Sequence, residues 1–104
     1  MQHSKLLSLV GLAKKAGRIS IGHDAVLETI KKKKAIVILL ASDASERLER
    51  EMQRELAFEK SDAKLIRITH TMEEIGKALP KKAAVMSIND TAFAAGIMNV
   101  IEEG

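Results

Sequence analysis

The chain has 104 residues, enough for one domain and too few for two, so we expect a single domain over residues 1–104. Hydrophobic residues make up 46% and charged residues 30%, the balance of a soluble globular protein, and no apolar run approaches the roughly 20 residues that span a membrane. The chain lacks cysteine, which excludes disulfides and thiolate chemistry. Because no signal-peptide pattern precedes Lys5, a cytoplasmic location is expected.

The first third of the chain predicts two helices around a short strand. Ser4 is a candidate cap for a first helix, whose apolar stripe begins at Leu6 and which Gly17 ends. Residues 18–22 alternate in polarity like a strand, and a second helix opens at His23 or Asp24 and runs through Lys33.

The middle of the chain predicts a buried strand and a long amphipathic helix. Residues 35–41 form a continuous apolar run, which is typical of a central strand covered on both faces. Asp43 or Ser45 caps a third helix that runs to about Glu59. Its inward positions are Leu48, Met52 and Leu56, and its outer face is expected to carry the ion pairs Glu46–Arg50 and Arg47–Glu51.

The last third predicts two more strands and two more helices. Residues 64–68 form a strand, and Thr71 with Glu74 forms a capping box for a short helix that stops before Pro80. Residues 83–88 form the last strand, and Asn89 or Asp90 caps a final helix to about Ile101.

This alternation predicts an α/β fold: a three-layer α/β/α sandwich with a mixed, mostly parallel four-stranded sheet. In such folds ligands bind in the loops at the carboxyl ends of the strands. Residues 22–24, 42–43 and 89–90 are all predicted to lie there.

Basic residues are concentrated in the first third of the chain. Residues 1–34 carry a net charge of +6, whereas residues 35–60 sum to −2 and residues 61–104 to −1. A one-sided positive field is expected of a phosphate-binding surface. We expect it to form beside Gly22 from Lys14, Lys15, Arg18, Lys31, Lys32, Lys33 and Lys34. The alternative is that the lysine run is only the solvent-exposed end of a helix.

The turn at Gly22 is a second indication of a nucleic-acid ligand. A glycine that leads into a helix N-terminus lets an RNA backbone or base approach free N–H groups and a partial positive charge. The side chains of His23 and Asp24 could then bond base edges, which carry sequence information. Such a turn by itself is a weak signal.

Catalytic and metal-binding patterns are missing from the sequence. His3, His23 and His70 are widely separated and lack a second ligand at metal-site spacing. Nucleophile elbows, Walker loops and dinucleotide fingerprints are also absent. Asp43 follows the central strand, as a phospho-accepting aspartate would, but its partner residues are missing, so we interpret it as a helix cap. No cofactor is expected.

Four segments in order, residues 17–32, 35–45, 73–79 and 84–94, resemble the kink-turn RNA-binding ribosomal-protein family, and especially its bacterial YlxQ-like branch. The resemblance covers the chain from about Leu6 to Ile101. It implies the α/β/α sandwich reached above and an RNA site built from three loops. Carried onto this sequence, those loops give Gly22, His23, Asp24, Ala25 and Glu28, then Ser42 and Asp43, then Gly76, Lys77, Leu79, Pro80, Lys81 and Lys82.

This chain departs from the family pattern at three places. Asp24-Ala25 stands where RNA-binding members have Asn-Glu, so an amide donor is missing. Glu28 stands where they have lysine, and its like charge should repel phosphate. Pro80 stands where they have glycine.

The leading hypothesis is therefore a non-enzymatic RNA-binding accessory of the ribosome, which recognises a kinked structured RNA, with ribosomal RNA as the expected partner. Such binding should weaken steeply with salt. One alternative is a protein-interaction module, including a weak homodimer, whose contact surface is the third helix with Met52. An enzyme is the third hypothesis; it is disfavoured because the chain has no cofactor-binding domain.

Overall fold

The computed structural model describes residues 4–80 and 82–103. It contains every helix and strand that the sequence predicts, in the same order. Their bounds are α1 Lys5–Lys15, β1 Ile19–Ile21, α2 His23–Lys31, β2 Val37–Leu40, α3 Glu46–Phe58, β3 Lys64–Arg67, α4 Met72–Ala78, β4 Val85–Ile88 and α5 Thr91–Glu103.

The predicted helix ends are set by local hydrogen bonds. The Ser4 hydroxyl accepts the N–H of Leu7 at 3.1 Å and begins α1, and Gly17 follows its end with a φ of 71°. The capping box of α4 is present, because the Thr71 hydroxyl accepts the N–H of Glu74 while the Glu74 carboxylate accepts the N–H of Thr71. That backbone hydrogen bond lowers the pKa of Glu74 below its ordinary value.

The start of α3 decides between the two caps that the sequence offered. The Ser45 hydroxyl accepts the N–H of Leu48 at 3.0 Å and is the cap. Asp43 instead accepts the N–H of Met72 at 3.0 Å, at the beginning of α4. Asp43 therefore joins two loops that lie 29 residues apart in sequence.

The sheet has the order β1-β4-β2-β3 and contains one parallel pair. β2 and β3 are parallel, whereas β4 is antiparallel to both of its neighbours. The sheet is thus mixed, and the prediction of mostly parallel pairing is wrong. The reason is that the connection through α4 begins and ends at the same end of the sheet, so β4 runs in the opposite direction to β3. Accordingly, the N–H of Ala41, just after β2, donates to the carbonyl of Ala84, just before β4.

These strand directions give the sheet two distinct edges. β1, β2 and β3 end, and β4 begins, at one edge, which we call the turn edge; it comprises residues 22–24, 41–45, 68–71 and 82–84. The opposite edge, which we call the basic edge, comprises residues 16–18, 31–36, 59–64 and 89–90. Asn89 and Asp90 therefore lie away from the other two predicted ligand loops, and that part of the prediction is wrong.

Helices cover both faces of the two central strands. Every residue of β2 and of β4 is buried, although successive side chains point to opposite faces. α1 contacts α4 and α5, while α2 contacts α3. The Thr29 hydroxyl of α2 lies 3.0 Å from the Ser87 hydroxyl of β4, both buried, so a polar contact within the core fixes α2 to the sheet.

In the described part of the chain, no helix is long and apolar enough to cross a membrane.

Candidate nucleic-acid interface

Gly22 sets the entry into α2 at the turn edge. Its φ of 99° and ψ of 165° lie in a region that is essentially restricted to glycine. Its N–H donates to the carbonyl of Val85 at 3.0 Å, which holds the first turn of α2 beside the beginning of β4. Within the described residues, no atom outside the adjoining chain lies within 4 Å of the place where a Cβ would stand, so the backbone here is open to a ligand.

Among residues 4–80 and 82–103, no side chain caps the N-terminus of α2. Side chains cap α1, α3 and α4, and Asp90 accepts the N–H of Phe93 in the first turn of α5. Because the first N–H groups of a helix have no partner within the helix, those of α2 are available to an external acceptor. The partial positive charge of a helix N-terminus favours an anion there.

His23 lies between two carboxylates. Its Nδ1 is 3.0 Å from Oδ1 of Asp24, and its Nε2 is 2.7 Å from Oε2 of Glu51 on α3. These contacts, with Asp24 and then Glu51, raise the pKa of His23 above its ordinary value of 6.5, although its side chain is 43% exposed. The predicted Arg47–Glu51 pair does not form, since Glu51 contacts His23, whereas Glu46–Arg50 is present at 3.9 Å.

Arg67 fixes the loop between β2 and α3, although the sequence showed it only as a strand residue. Its guanidinium donates to the carbonyls of Ala41, Ser42 and Ala44, and its Nε donates to Glu49 at 3.2 Å. The N–H of Ser42 in turn donates to the carbonyl of His70 at 2.8 Å. Ser42 and Asp43 are thereby held at the turn edge, beside the start of α4.

The segment between α4 and β4 packs closely over Gly76. A Cβ at Gly76 would lie 2.9 Å from Cγ and 3.4 Å from Cα of Lys82. Glycine at this helical position therefore allows Lys82 to pass near α4 on its way to the turn edge. Lys81, which the resemblance also implicates, lies outside the described residues.

The structure brings together one part of the predicted site. Gly22, His23, Asp24, Ser42 and Asp43 all lie at the turn edge, and Lys82 precedes β4 there. Whether they contact RNA stays a prediction. The helix ends at this edge also carry the exposed carboxylates of Glu46, Glu73 and Glu74.

The prediction of one basic surface beside Gly22 is wrong. α2 runs from the turn edge to the basic edge over nine residues, about 13 Å, so Lys31 and Lys32 lie at its far end. Arg18 also lies at the basic edge, where its carbonyl accepts the N–H of Asn89 at 2.9 Å. Glu28 lies between the edges and pairs with Lys32 at 3.0 Å.

Three further predicted cations lie elsewhere again. Lys14, Lys15 and Lys77 line an open groove between α1 and α4, together with His70, Leu79 and Pro80. Lys14 and Lys15 were grouped with Gly22 because charge was judged along the chain, whereas helix direction decides which side of the molecule each reaches. Lys77 was carried over from the family resemblance.

The suggested protein-contact surface on α3 also needs correction. Met52 is fully buried in the core and is unavailable to a partner. In the described residues, no group of three or more His, Asp or Glu side chains is arranged to hold a metal ion; His3 lies outside them.

A mixed four-stranded sheet with helices on both faces, and with the N-terminus of α2 uncapped by any described side chain, places the chain in the class of small α/β domains. Residues 4–95 match the Ribosomal protein L7Ae/L30e/S12e/Gadd45 family, and the chain belongs to that family. This confirms the resemblance seen in the sequence.

Individual relatives agree with this assignment. The chain is 30% identical over 99 residues to the RNA-binding protein YlxQ of Enterococcus faecium, covering 94% of this chain and 92% of that protein. A protein of unknown function from Bacillus halodurans C superposes with a TM-score of 0.84 at 21% identity, covering 96% of this chain and 99% of that one. The Giardia lamblia 15.5kD RNA binding protein superposes with a TM-score of 0.70 at 20% identity, covering 99% and 90%. These two solved structures share the fold of this chain.

Proposed function

We propose that this protein is a single-domain, non-enzymatic RNA-binding protein that holds a sharply kinked RNA at its turn edge, with ribosomal RNA as the partner. Family membership and the similarity to a protein named for RNA binding support the ligand class. The cytoplasmic location and the association with the ribosome that the sequence predicts are part of this proposal.

The observation that carries the proposal is the uncapped first turn of α2. Its free N–H groups lie beside the open backbone of Gly22, and the hydrogen bond from Gly22 to Val85 holds them next to the loop that contains Lys82. An RNA phosphate or a displaced base could accept from these N–H groups without displacing a protein side chain. A kinked RNA exposes such groups, whereas a continuous duplex does not.

Charge sets the strength of this contact. Asp24 is fully exposed beside the first turn of α2, and Glu51 lies 2.7 Å from His23, so carboxylates surround the helix N-terminus. Glu28 lies farther along α2 and pairs with Lys32 rather than with a group at the turn edge. We therefore expect moderate affinity, which substitutions toward the family pattern should increase.

The test is fluorescence anisotropy with a labelled kink-turn RNA and a fully paired duplex of the same length, each titrated at several salt concentrations. We expect the kink-turn RNA to bind at least tenfold more tightly. Asp24→Asn and Glu28→Lys should each raise its affinity, by up to about fivefold, since each changes a surface charge interaction of about 0.2–1 kcal/mol. Lys82→Gln should lower affinity and reduce the salt slope by about one.

Arg50→Gln is the matched control, because Arg50 is exposed on α3 and pairs only with Glu46 among the described residues. It should leave the preference for the kink-turn RNA unchanged. Equal affinity for the two RNAs, or no binding at low salt, would contradict the proposal and favour a protein-interaction module.

A further inference from the structure

The basic edge has an excess of cationic side chains over carboxylates. Seven cationic side chains lie there against three carboxylates, Glu59, Asp62 and Asp90. Among the described residues, five of the seven have no carboxylate within 4.0 Å. The cations are Arg18, Lys31, Lys32, Lys33, Lys34, Lys60 and Lys64, of which Lys31, Lys33, Lys34, Lys60 and Lys64 are the five.

The α2–β2 and α3–β3 connections meet at this edge. The Nζ of Lys33 donates to the carbonyl of Glu59, and the N–H of Lys64 donates to the carbonyl of Ile36 at 3.1 Å. Lys33 and Lys60 line the same shallow pocket. Lysines that are distant in the sequence therefore form one surface.

Two of these lysines occupy backbone positions that favour glycine. Lys33 has a φ of 60° and follows the end of α2, and Lys60 has a φ of 54° and follows the end of α3. A glycine commonly fills this position after a helix, because it adopts a positive φ without steric conflict. The backbone geometry does not require a lysine at either position. The Nζ of Lys33 also donates to the carbonyl of Glu59, whereas among the described residues the ammonium group of Lys60 has no hydrogen-bond or ion-pair partner, which points to a use for its charge.

Phe58 carries an exposed aromatic ring two residues before Lys60, at the end of α3 that leads into the basic edge. It is the last residue of α3, it is 79% exposed, and Glu59 and Lys60 follow it directly. Arg54 lies one turn before it on the same side of the helix and is also exposed. The chain's other phenylalanine, Phe93, packs partly against the core. The exposed ring adds nothing to the core, but it offers a flat apolar face to solvent.

A basic surface with an exposed aromatic ring suits unpaired nucleic acid. The lysines neutralise successive phosphates, while a base stacks on the ring, and any base can do so because each has a π face. Double-stranded RNA would not fill the ring's face, because its bases are already stacked on each other.

We propose that Phe58, together with Lys31–Lys34, Lys60 and Lys64, forms a second RNA-binding surface that holds an unpaired RNA segment. It lies at the opposite end of α2 from the proposed kink-turn contact. The inference rests on the proposed function only in that both ligands are RNA, and each surface binds its own form of RNA.

The test uses the full chain with two separate probes: a 12-nucleotide unstructured RNA and a kink-turn RNA without single-stranded ends. Phe58→Leu should lower affinity for the unstructured RNA by about tenfold, as expected from the loss of one stacked base. Leu12→Ala removes another exposed apolar side chain, on α1, and should leave affinity for either probe unchanged. Both variants should bind the kink-turn RNA within twofold of wild type.

Lys60→Gly separates binding from folding. Removing the lysine at a positive φ should preserve or raise thermal stability, whereas affinity for the unstructured RNA should fall severalfold and its salt slope should decrease by about 0.7. Arg50→Gln is the matched control for Lys60→Gly, because it also removes one cation, on α3 and outside this surface.

The outcomes distinguish the two proposals. If the wild type binds the kink-turn RNA but not the unstructured RNA, or if Phe58→Leu and Lys60→Gly bind the latter like wild type, the second surface is wrong and the proposed function stands. If the unstructured RNA binds with the expected variant effects while the kink-turn RNA does not bind, the second surface stands and the proposed function is wrong.

Discussion

His23 on α2 and Glu51 on α3 are joined across the two helices by a contact of 2.7 Å between Nε2 and Oε2. The other ring nitrogen lies 3.0 Å from Asp24. A neutral imidazole has a single N–H, so both contacts are hydrogen bonds only when the ring is protonated. The position of α3 against the first turn of α2 is therefore linked to the protonation of one side chain.

This link predicts a pH dependence. Since the folded-state pKa of His23 is raised, its stabilising contribution is complete below the ordinary value of 6.5 and is lost as pH rises through the raised pKa. Glu51→Gln should move the pKa back toward the ordinary value. An NMR titration of the His23 ring protons measures it directly. Glu46→Gln, which removes a carboxylate of α3 that does not contact His23, should leave the titration unchanged; equal shifts in both variants would contradict the assignment.

Gly22 is predicted to be intolerant of a side chain for backbone reasons alone. Gly22→Ala should destabilise the protein by about 1–3 kcal/mol, because the φ of 99° and ψ of 165° strain any L-residue while no contact resists the methyl group. Gly11→Ala is the control: Gly11 lies inside α1, where a Cβ would meet, of the described residues, only Ala78 at an ordinary 3.8 Å, so stability should rise by about 0.5–1 kcal/mol. Urea unfolding checks both, and a neutral Gly22→Ala would show that α2 begins differently.

Arg67 is predicted to hold the β2–α3 loop in place. Arg67→Met should lower the free energy of unfolding by about 1–3 kcal/mol, because the carbonyls of Ala41, Ser42 and Ala44 lose a shared donor. Amide hydrogen exchange should also increase in residues 41–45. Arg54→Met removes an exposed arginine of α3 and should change neither quantity; protection of the loop in Arg67→Met would refute the role.

Gly76 is predicted to control the position of Lys82. Gly76→Ala places a methyl group 2.9 Å from Cγ of Lys82 and should cost about 1–3 kcal/mol through overpacking, unless the loop moves. Movement of the loop should appear as reduced affinity for the kink-turn RNA. Combining Gly76→Ala with Lys82→Gly, which removes the clashing side chain, should recover stability; if it does not, the contact is not the cause.

Local patterns in the sequence were sufficient to predict the helices and strands of this fold. Ser4, Thr71 with Glu74, and Gly17 act through hydrogen bonds or φ values within a few residues of themselves, and the structure confirms them. The reversed direction of β4 has no such local signal. It depends on the path of the chain after α4, which the hydrophobic pattern of the strand itself does not encode.

In the candidate site, too, residues with a local sequence signal were predicted and residues whose contacts are distant in sequence were not. Gly22 and Asp43 were found because each follows a predicted strand, and they do lie at one edge. Glu51 and Arg67 were missed because their contacts reach 28 and 18–26 residues away, to His23 and to the loop before α3. The lysines of α2 were wrongly predicted to lie beside Gly22, because α2 runs from the turn edge to the basic edge and its two ends lie at opposite edges of the sheet.

The buried hydroxyl contact between Thr29 and Ser87 makes α2 a rigid spacer. Sliding the helix along β4 would break this buried contact and leave Thr29 bonded only to the carbonyl of Val26 and Ser87 only to Asn89, so the core favours one position of α2 on the sheet. A flexible ligand that contacts both ends of α2 must bend to fit the distance between them. A substitution in the middle of α2 that shifts the helix would therefore move both of its ends.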